Sequence, residues 1–410
     1  MKVPKETRSR AKKLYELIEH HRKLYHEFDS PKLSDEAYDA LLSELTYLES
    51  AHPELRSDDS PTHRVGGAVL DSFKKVAHVV LQWSFDNAFD ENDMKAWEER
   101  MIRYLDREQG ITVANIMYCA EHKIDGLKVI LTYKNGVFVQ GATRGDGTVG
   151  EDVTANLKTI ESIPLTLSHP VDCIVVGEAW LAEKELTRIN EERAKKNEPL
   201  FANARNVAAG SLRQLDPKIA RKRRLNCFAY DIDFFDGKKT AFSMPDTQEG
   251  ELKLLQKLGF NVNDTYTVCS TLEEVERYYK KWSAGRQALP YGVDGVVLKV
   301  NERVLQLALG YTAKSPRFGI AYKFPAVQTT TVVLDIVLQV GRTGVLTPVA
   351  NLRPVLIDGS TVSRATLHNE DEIKRLDVRV GDTVILQKAG DVIPDIVEVL
   401  KDLRPKNSKA

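Results

Sequence analysis

"CAEHKIDGLKV", residues 119–129, sets Lys123 two positions ahead of an Asp125-Gly126 pair, between two apolar stretches that read as strands. Downstream, "KVILTY" and "VFVQGATR" flank Asn135-Gly136, and an Asn-Gly turn between apolar runs marks an antiparallel hairpin. That reading decides the fold class. Gly145, Gly147 and Gly150 in "RGDGTVG" satisfy GxGxxG, but a dinucleotide-binding Rossmann turn needs a parallel βαβ unit, not a hairpin. These glycines are therefore expected to form a flexible loop that lets Arg144 approach a ligand.

A lysine amine attacks only after losing its proton. Burial or neighbouring cations would lower its pKa, and Arg205, Lys299 and Lys323 supply candidate cations. "GVDGVVLKV" and "GIAYKFP" each place one lysine in an apolar strand, where a buried charge is costly unless an anion meets it. Glu178 in "VVGEAWL" is the acidic counterpart, able to hold a ribose hydroxyl or a hydrated metal ion. Together these placements read as a phosphate and nucleotide site.

With 58 basic and 59 acidic residues the net charge is −1, so a nucleic-acid surface has to be a local patch. Cys119, Cys173, Cys227 and Cys269 are scattered without a CxxC pair, which argues against a disulfide framework and a zinc site. No apolar run is long enough for a signal peptide or a membrane span, so a cytoplasmic protein without membrane contact is expected. Residues 1–70 read as helical: Leu14, Leu17, Ile18, Tyr25 and Phe28 recur near a 3.6 period, as do Tyr38, Leu41, Leu42, Leu45 and Leu48. Pro31 breaks the helix and Ser34 is a candidate N-cap. In a domain over 71–325 short strands alternate with helical and loop segments from about residue 116, and 326–403 run strand after strand, as in an OB-type barrel. Residues 404–410 read as a solvated tail.

"KIDG", "TRGDGTVGEDVTANLKTI", "GEAW", "FANARNVAAGSLRQLDP", "VDGVVLKV" and "AYKFP" occur in the order seen in the bacterial NAD+-dependent DNA ligases, and the resemblance extends over residues 15–403. It implies a multidomain α+β protein: a helical domain for nicotinamide mononucleotide, a covalent nucleotidyltransferase domain of antiparallel sheets and helices related to ATP-grasp enzymes, and an OB-fold. By resemblance Lys123 is the nucleophile that forms lysyl-AMP. Glu121, Asp125 and Glu178 match carboxylates near the nucleoside, with Asp125 and Glu178 at a hydrated Mg2+. Arg144, Arg205, Lys299 and Lys323 match basic contacts, Tyr230 and Val297 the pair enclosing adenine, and Ser84 and Phe85 a segment contacting AMP. Tyr25, His26, Asp35, Tyr38 and Asp39 match the nicotinamide site; Asp35, Tyr38 and Asp39 also share a helix face at i, i+3 and i+4. Arg213, Arg342, Lys388, Val392 and Ile393 match DNA-facing positions.

The family pattern carries other residues where this chain has His122, Lys128, Gly292, Trp83 and Phe85. It also continues into a four-cysteine zinc finger, helix-hairpin-helix motifs and a BRCT domain, none of which is read here. The resemblance implies an enzyme of DNA replication and repair that uses NAD+ and Mg2+ and seals nicked double-stranded DNA, acting as a monomer. Two alternatives are an ATP-dependent nucleotidyltransferase and a nucleic-acid-binding module with impaired catalysis. The first lacks a use for the nicotinamide-site residues, and intact Lys123, Asp125, Glu178, Lys299 and Lys323 argue against the second.

Overall fold

The computed structural model describes residues 3–26, 35–55, 57, 60–62, 72–237, 240, 242–325, 328–340, 346–357, 360–389, 393–405 and 408, without the side chains of 21–26, 35–40, 43, 360, 388, 389 and 393. It divides into two compact units, residues 1–322 and 323–410.

The first unit opens with helices Lys5–His26 and Asp35–Ala51, packed through Ala11, Leu14, Ile18, Leu42 and Leu45. The apolar period is visible in that seam, although Leu17 points outward and is 41% exposed. Phe28, Pro31 and Ser34 lie outside the described residues. Arg10 meets Glu44 through two hydrogen bonds of 2.7 Å, but the pair is exposed, so the apolar seam carries the hairpin.

Two sheets follow. A four-stranded antiparallel sheet runs in the order Val137–Thr143, Leu127–Lys134, Asp172–Trp180 and Asn226–Asp236. Its alternation follows from the two-residue period: Val129, Leu131, Tyr133, Cys173, Val175 and Ala179 enter one core, while Lys128 and Glu178 are register partners. The Asn-Gly turn has φ of 49° at Asn135 and 77° at Gly136, the left-handed pair that a tight hairpin needs. A five-stranded sheet has the order Asp86–Ala88, Gly319–Lys323, Val293–Val300, Tyr118–Ile124 and Thr267–Cys269.

The "RGDGTVG" loop differs from the flexible loop expected. The Asp146 carboxylate accepts hydrogen bonds from the Thr148 and Val149 amides, both at 2.8 Å, and from the Thr148 hydroxyl at 2.7 Å. These donors pull the Asp146 carboxyl down to about 2. Gly145 has φ +58°, and a Cβ there would lie 1.9 Å from the Val149 carbonyl oxygen, so tight closure is what requires the glycine.

The second unit is a closed five-stranded barrel in the order Gln328–Val340, Leu346–Ile357, Ser360–Thr366, Ile393–Val399 and Thr383–Ala389. Val333, Ala350, Leu352, Val384, Leu386 and Ile396 fill its interior. Helix Glu370–Leu376, missed in the sequence reading, starts at Asn369, whose side chain accepts from the Glu372 amide at 2.9 Å. The expected solvated tail begins with an anchor instead: Arg404 donates to buried Asp382 at 2.9 and 3.0 Å.

Candidate nucleotide site

Lys123 stands near the end of the Tyr118–Ile124 strand, opposite Gly295. The register slips between Val293 and Gly295, leaving Asp294 as the extra residue of a β-bulge. The bulge turns the Asp294 carboxylate toward the lysine, with its two oxygens 3.1 and 3.3 Å from Nζ. Burial lowers the Lys123 pKa, but Asp294 and Glu178 outweigh burial and leave it above the ordinary lysine value. This reverses the lowered pKa expected from the sequence. The reason is Asp294, which sequence reasoning did not single out; its signal was the Val-Asp-Gly step inside an apolar strand, where a bulge fits.

Asp125 follows the same strand, its amide donating to the Gly292 carbonyl at 2.9 Å and its carboxylate accepting from Arg205 at 2.6 Å. Arg205 sits in helix Ala204–Leu212, which Asn203 caps through the Asn206 amide at 2.8 Å. Gly126 lets the chain pass the Glu178 strand: a Cβ would lie 2.3 Å from the Ala179 carbonyl oxygen and 2.9 Å from Glu178 Cγ. Desolvation lifts the Glu178 carboxyl to about 7, opposed by Lys123, Arg205 and Lys128. The lysine, arginine and two carboxylates therefore act on one another within a single cluster.

Lys299 is 1% exposed. Its ammonium lies 3.2 Å from the Glu121 carboxylate and 3.8 Å from that of Asp231, and it donates to the Tyr230 carbonyl at 3.0 Å. The anion that a buried strand lysine demands is thus supplied by the protein. Asp231, another residue missed in the sequence, shares a hydrogen bond with Glu251; Lys299 favours the charge on Asp231, while burial beside Asp231 raises Glu251 well above its usual range. Tyr230 and Val297 are both half-buried, with Val297 opposite Glu121 in register. Arg144 donates to the Ser84 hydroxyl, and Phe85 occupies space left by Gly319, where a Cβ would lie 2.3 Å from the ring.

His122 faces away from this cluster. Its ring meets Trp282 edge-on at 4.3 Å and bonds the Tyr291 hydroxyl at 3.2 Å, and burial pushes its pKa down to about 4. Gly292 has open room: the nearest atom to a built Cβ is Asp125 Cβ at 3.4 Å. Lys323 ends its strand at the boundary between the two units. Tyr25, His26, Asp35, Tyr38 and Asp39 lie on the two N-terminal helices, but their side chains lie outside the description. Of the expected DNA-facing residues, Arg213 is exposed and 3.4 Å from Glu151. Lys388 and Ile393 are on barrel strands with side chains outside the description, and Arg342 and Val392 lie outside the described residues.

Among the described residues no group of three or more His, Cys, Asp or Glu side chains could hold a metal ion. The four cysteines are free and buried. No described helix is long and apolar enough to cross a membrane.

Three family descriptions match consecutive segments of the chain. Residues 4–66 match the DNA ligase-like, N-terminal NAD+-binding domain, residues 70–327 the NAD-dependent DNA ligase adenylation domain, and residues 330–408 the NAD-dependent DNA ligase OB-fold domain. Among curated relatives, a DNA ligase of Halothermothrix orenii is 52% identical over 391 residues, covering 95% of this chain and 57% of that protein. A DNA ligase of Shouchella clausii is 50% identical over 395 residues, covering 96% of this chain and 57% of that protein. One from Clostridioides difficile is 47% identical over 392 residues, covering 96% and 56%. The chain thus spans somewhat more than half the length of these relatives. With the strand-borne lysine, its carboxylates and the closed barrel all falling inside the matched segments, the chain belongs to the NAD-dependent DNA ligase family.

Proposed function

We propose that this chain is the catalytic core of an NAD+-dependent DNA ligase, and that Lys123 carries AMP between NAD+ and a DNA nick. The observation that supports this most is the placement of Lys123 on the Asp294 bulge, beside Asp125, Arg205 and Glu178. The lysine nitrogen attacks the α-phosphorus of NAD+, a P–N bond forms, and nicotinamide mononucleotide leaves. The 5′-phosphate of the nick then takes AMP from the lysine, and attack by the 3′-hydroxyl forms the phosphodiester and releases AMP. Each transfer depends on in-line positioning and charge neutralisation.

Arg205 orients Asp125, and Arg144 orients Ser84 beside the nucleoside. Tyr230 and Val297 enclose the adenine, and Lys299 holds Glu121 as a fixed polar contact beside it. Lys323 is assigned to the phosphate. Asp125 already accepts from Arg205, and two carboxylates suit a magnesium ion that keeps its water, so both would contact Mg2+ through water. Such an ion neutralises phosphate charge. The helical domain takes the nicotinamide half through Tyr25, His26, Asp35, Tyr38 and Asp39. The barrel and Arg213 contribute phosphate and groove contacts to nicked duplex DNA, with Arg342, Lys388, Val392 and Ile393 among them. The protein acts in the cytoplasm as a monomer, in replication and repair.

Because Lys123 is held above its ordinary pKa, only a small fraction of the amine is unprotonated at neutral pH. Single-turnover self-adenylation should therefore rise about tenfold per pH unit from neutrality upward, until the lysine pKa or another step intervenes. Asp294→Asn removes the nearest group that raises the pKa and should shift that profile to lower pH, while weakening the placement of the amine. A rate independent of pH in both proteins would remove the role assigned to this pair.

The functional reading is tested by separating the two halves of the reaction. Alanine at Tyr25, His26, Asp35, Tyr38 or Asp39 should abolish adenylation from NAD+ but preserve sealing of a pre-adenylated nick. Equal loss of both would show that the helical domain serves structure or DNA binding instead. Sealing should also fall more steeply with salt than adenylation, because phosphate contacts release counterions on binding.

A further inference from the structure

Residues 81–85 have no regular secondary structure, yet they carry Ser84 and Phe85 into the nucleotide site. They are fastened at several points. The Gln82 amide donates to the Gly147 carbonyl at 2.9 Å, which ties the segment to the braced glycine loop. Gln82 Nε2 donates to the Asp233 carboxylate at 2.5 Å, and Lys128 Nζ donates to the Trp83 carbonyl at 3.2 Å. The Trp83 ring stacks on Tyr311 with centroids 5.5 Å apart, and Arg144 holds Ser84.

Two of these fasteners are charged side chains enclosed in protein. Lys128 is the register partner of Glu178, while its neighbours Leu127 and Val129 face the hydrophobic core or its border, so Lys128 shares the face of the sheet that carries Glu178. Asp231, Asp233 and Glu178 all act on it, yet among the described residues its hydrogen bond goes to a main-chain carbonyl of the strap formed by residues 81–85. A half-buried ammonium is a costly way to hold a carbonyl that a water molecule could otherwise satisfy. Its placement is explained if the height of the strap over the nucleotide matters. Burial also depresses the Lys128 pKa, showing that carboxylate pairing alone does not offset its desolvation.

We infer that Lys128, with the Gln82–Asp233 contact, is a positioning latch that sets residues 82–85 against the adenosine half of the dinucleotide and so determines how tightly the site holds it. The inference rests on the proposed function. Lys128 does not touch the reacting atoms; it acts through the Trp83 carbonyl on Ser84 and Phe85. Removing the ammonium frees the strap, and binding then has to restore its position. Affinity for the nucleotide falls, while Lys123 and its partners remain in place for the bound substrate.

The test is single-turnover self-adenylation of the full chain over a range of NAD+ concentrations, with wild type, Lys128→Met and Lys128→Arg. Methionine keeps the length and apolar stem but gives no donor; arginine retains one. In Lys128→Met the half-saturating NAD+ concentration should rise about tenfold, from loss of one charge-assisted hydrogen bond, with the saturated rate within about threefold of wild type. Lys128→Arg should recover part of the affinity, and thermal midpoints are measured alongside. Unchanged half-saturation in Lys128→Met overturns the latch. A joint fall in saturated rate and thermal midpoint, without an affinity change, also overturns it, because that is what a purely structural lysine would give. Absence of an adduct in wild type at every NAD+ concentration instead overturns the functional reading beneath it.

Discussion

Lys123→Ala is expected to yield a folded protein that takes up no AMP from NAD+ and seals no nick with 5′-phosphate ends. The side chain is a quarter exposed at the end of its strand, so its truncation opens no core cavity. The chemical loss is complete, since among the described residues Lys123 is the lysine paired with Asp294 at the bulge opposite Gly295. Lys123→Arg should fail equally, because a guanidinium remains protonated and cannot become the attacking amine. Both variants should still seal a pre-adenylated nick, a step that needs no lysine nucleophile. Labelled-AMP transfer together with a thermal melt measures this; labelled protein from either variant would relocate the nucleophile.

Lys299→Met should produce the largest loss of stability of any single change at the site. The ammonium is 1% exposed and lies between Glu121 and Asp231, so its removal leaves carboxylates without their buried partner. Breaking such a pair costs about 3–5 kcal/mol. Burial already raises the Glu121 pKa, opposed by Lys299, and loss of the lysine raises it further. A folded pKa above the unfolded one penalises folding as the carboxyl ionises in the unfolded chain, so the deficit should grow with rising pH and shrink in acid. Urea unfolding at two pH values measures both effects. Adding Glu121→Gln should recover part of the loss. A Lys299→Met protein as stable as wild type at neutral pH would mean that the contacts of Lys299 with Glu121 and Asp231 do not hold this sheet together.

Much of this was legible because it depends on local rules. The Asn135-Gly136 turn announced its hairpin, and the strand-rich segment after residue 326 announced the barrel, since turn geometry and two-residue alternation are written in neighbouring residues. The site lysines and Glu178 were legible as charges in apolar strands. What escaped was determined by pairing between distant segments. Asp294 acquires its importance from a bulge in register with a strand some 170 residues earlier, which no local pattern reveals. Asp231 likewise matters because Lys299 lies across the fold from it. The sign of the Lys123 pKa shift followed from the same cause: sequence displayed candidate cations, while the fold placed a carboxylate nearest. The glycines of "RGDGTVG" were read as freedom and proved to be closure, because Asp146 turns back on its own loop. Helix Glu370–Leu376 had a usable signal in Asn369 and the acidic residues after it, obscured by the surrounding strands.

Lys123 is proposed to take AMP from NAD+. Intact mass followed by peptide mapping, after separate incubations with NAD+ and ATP in the presence of Mg2+, tests it most directly. The predicted result is one AMP per chain, mapped to Lys123 and formed from NAD+ but not from ATP. AMP on another residue, or an adduct formed from ATP alone, would contradict it.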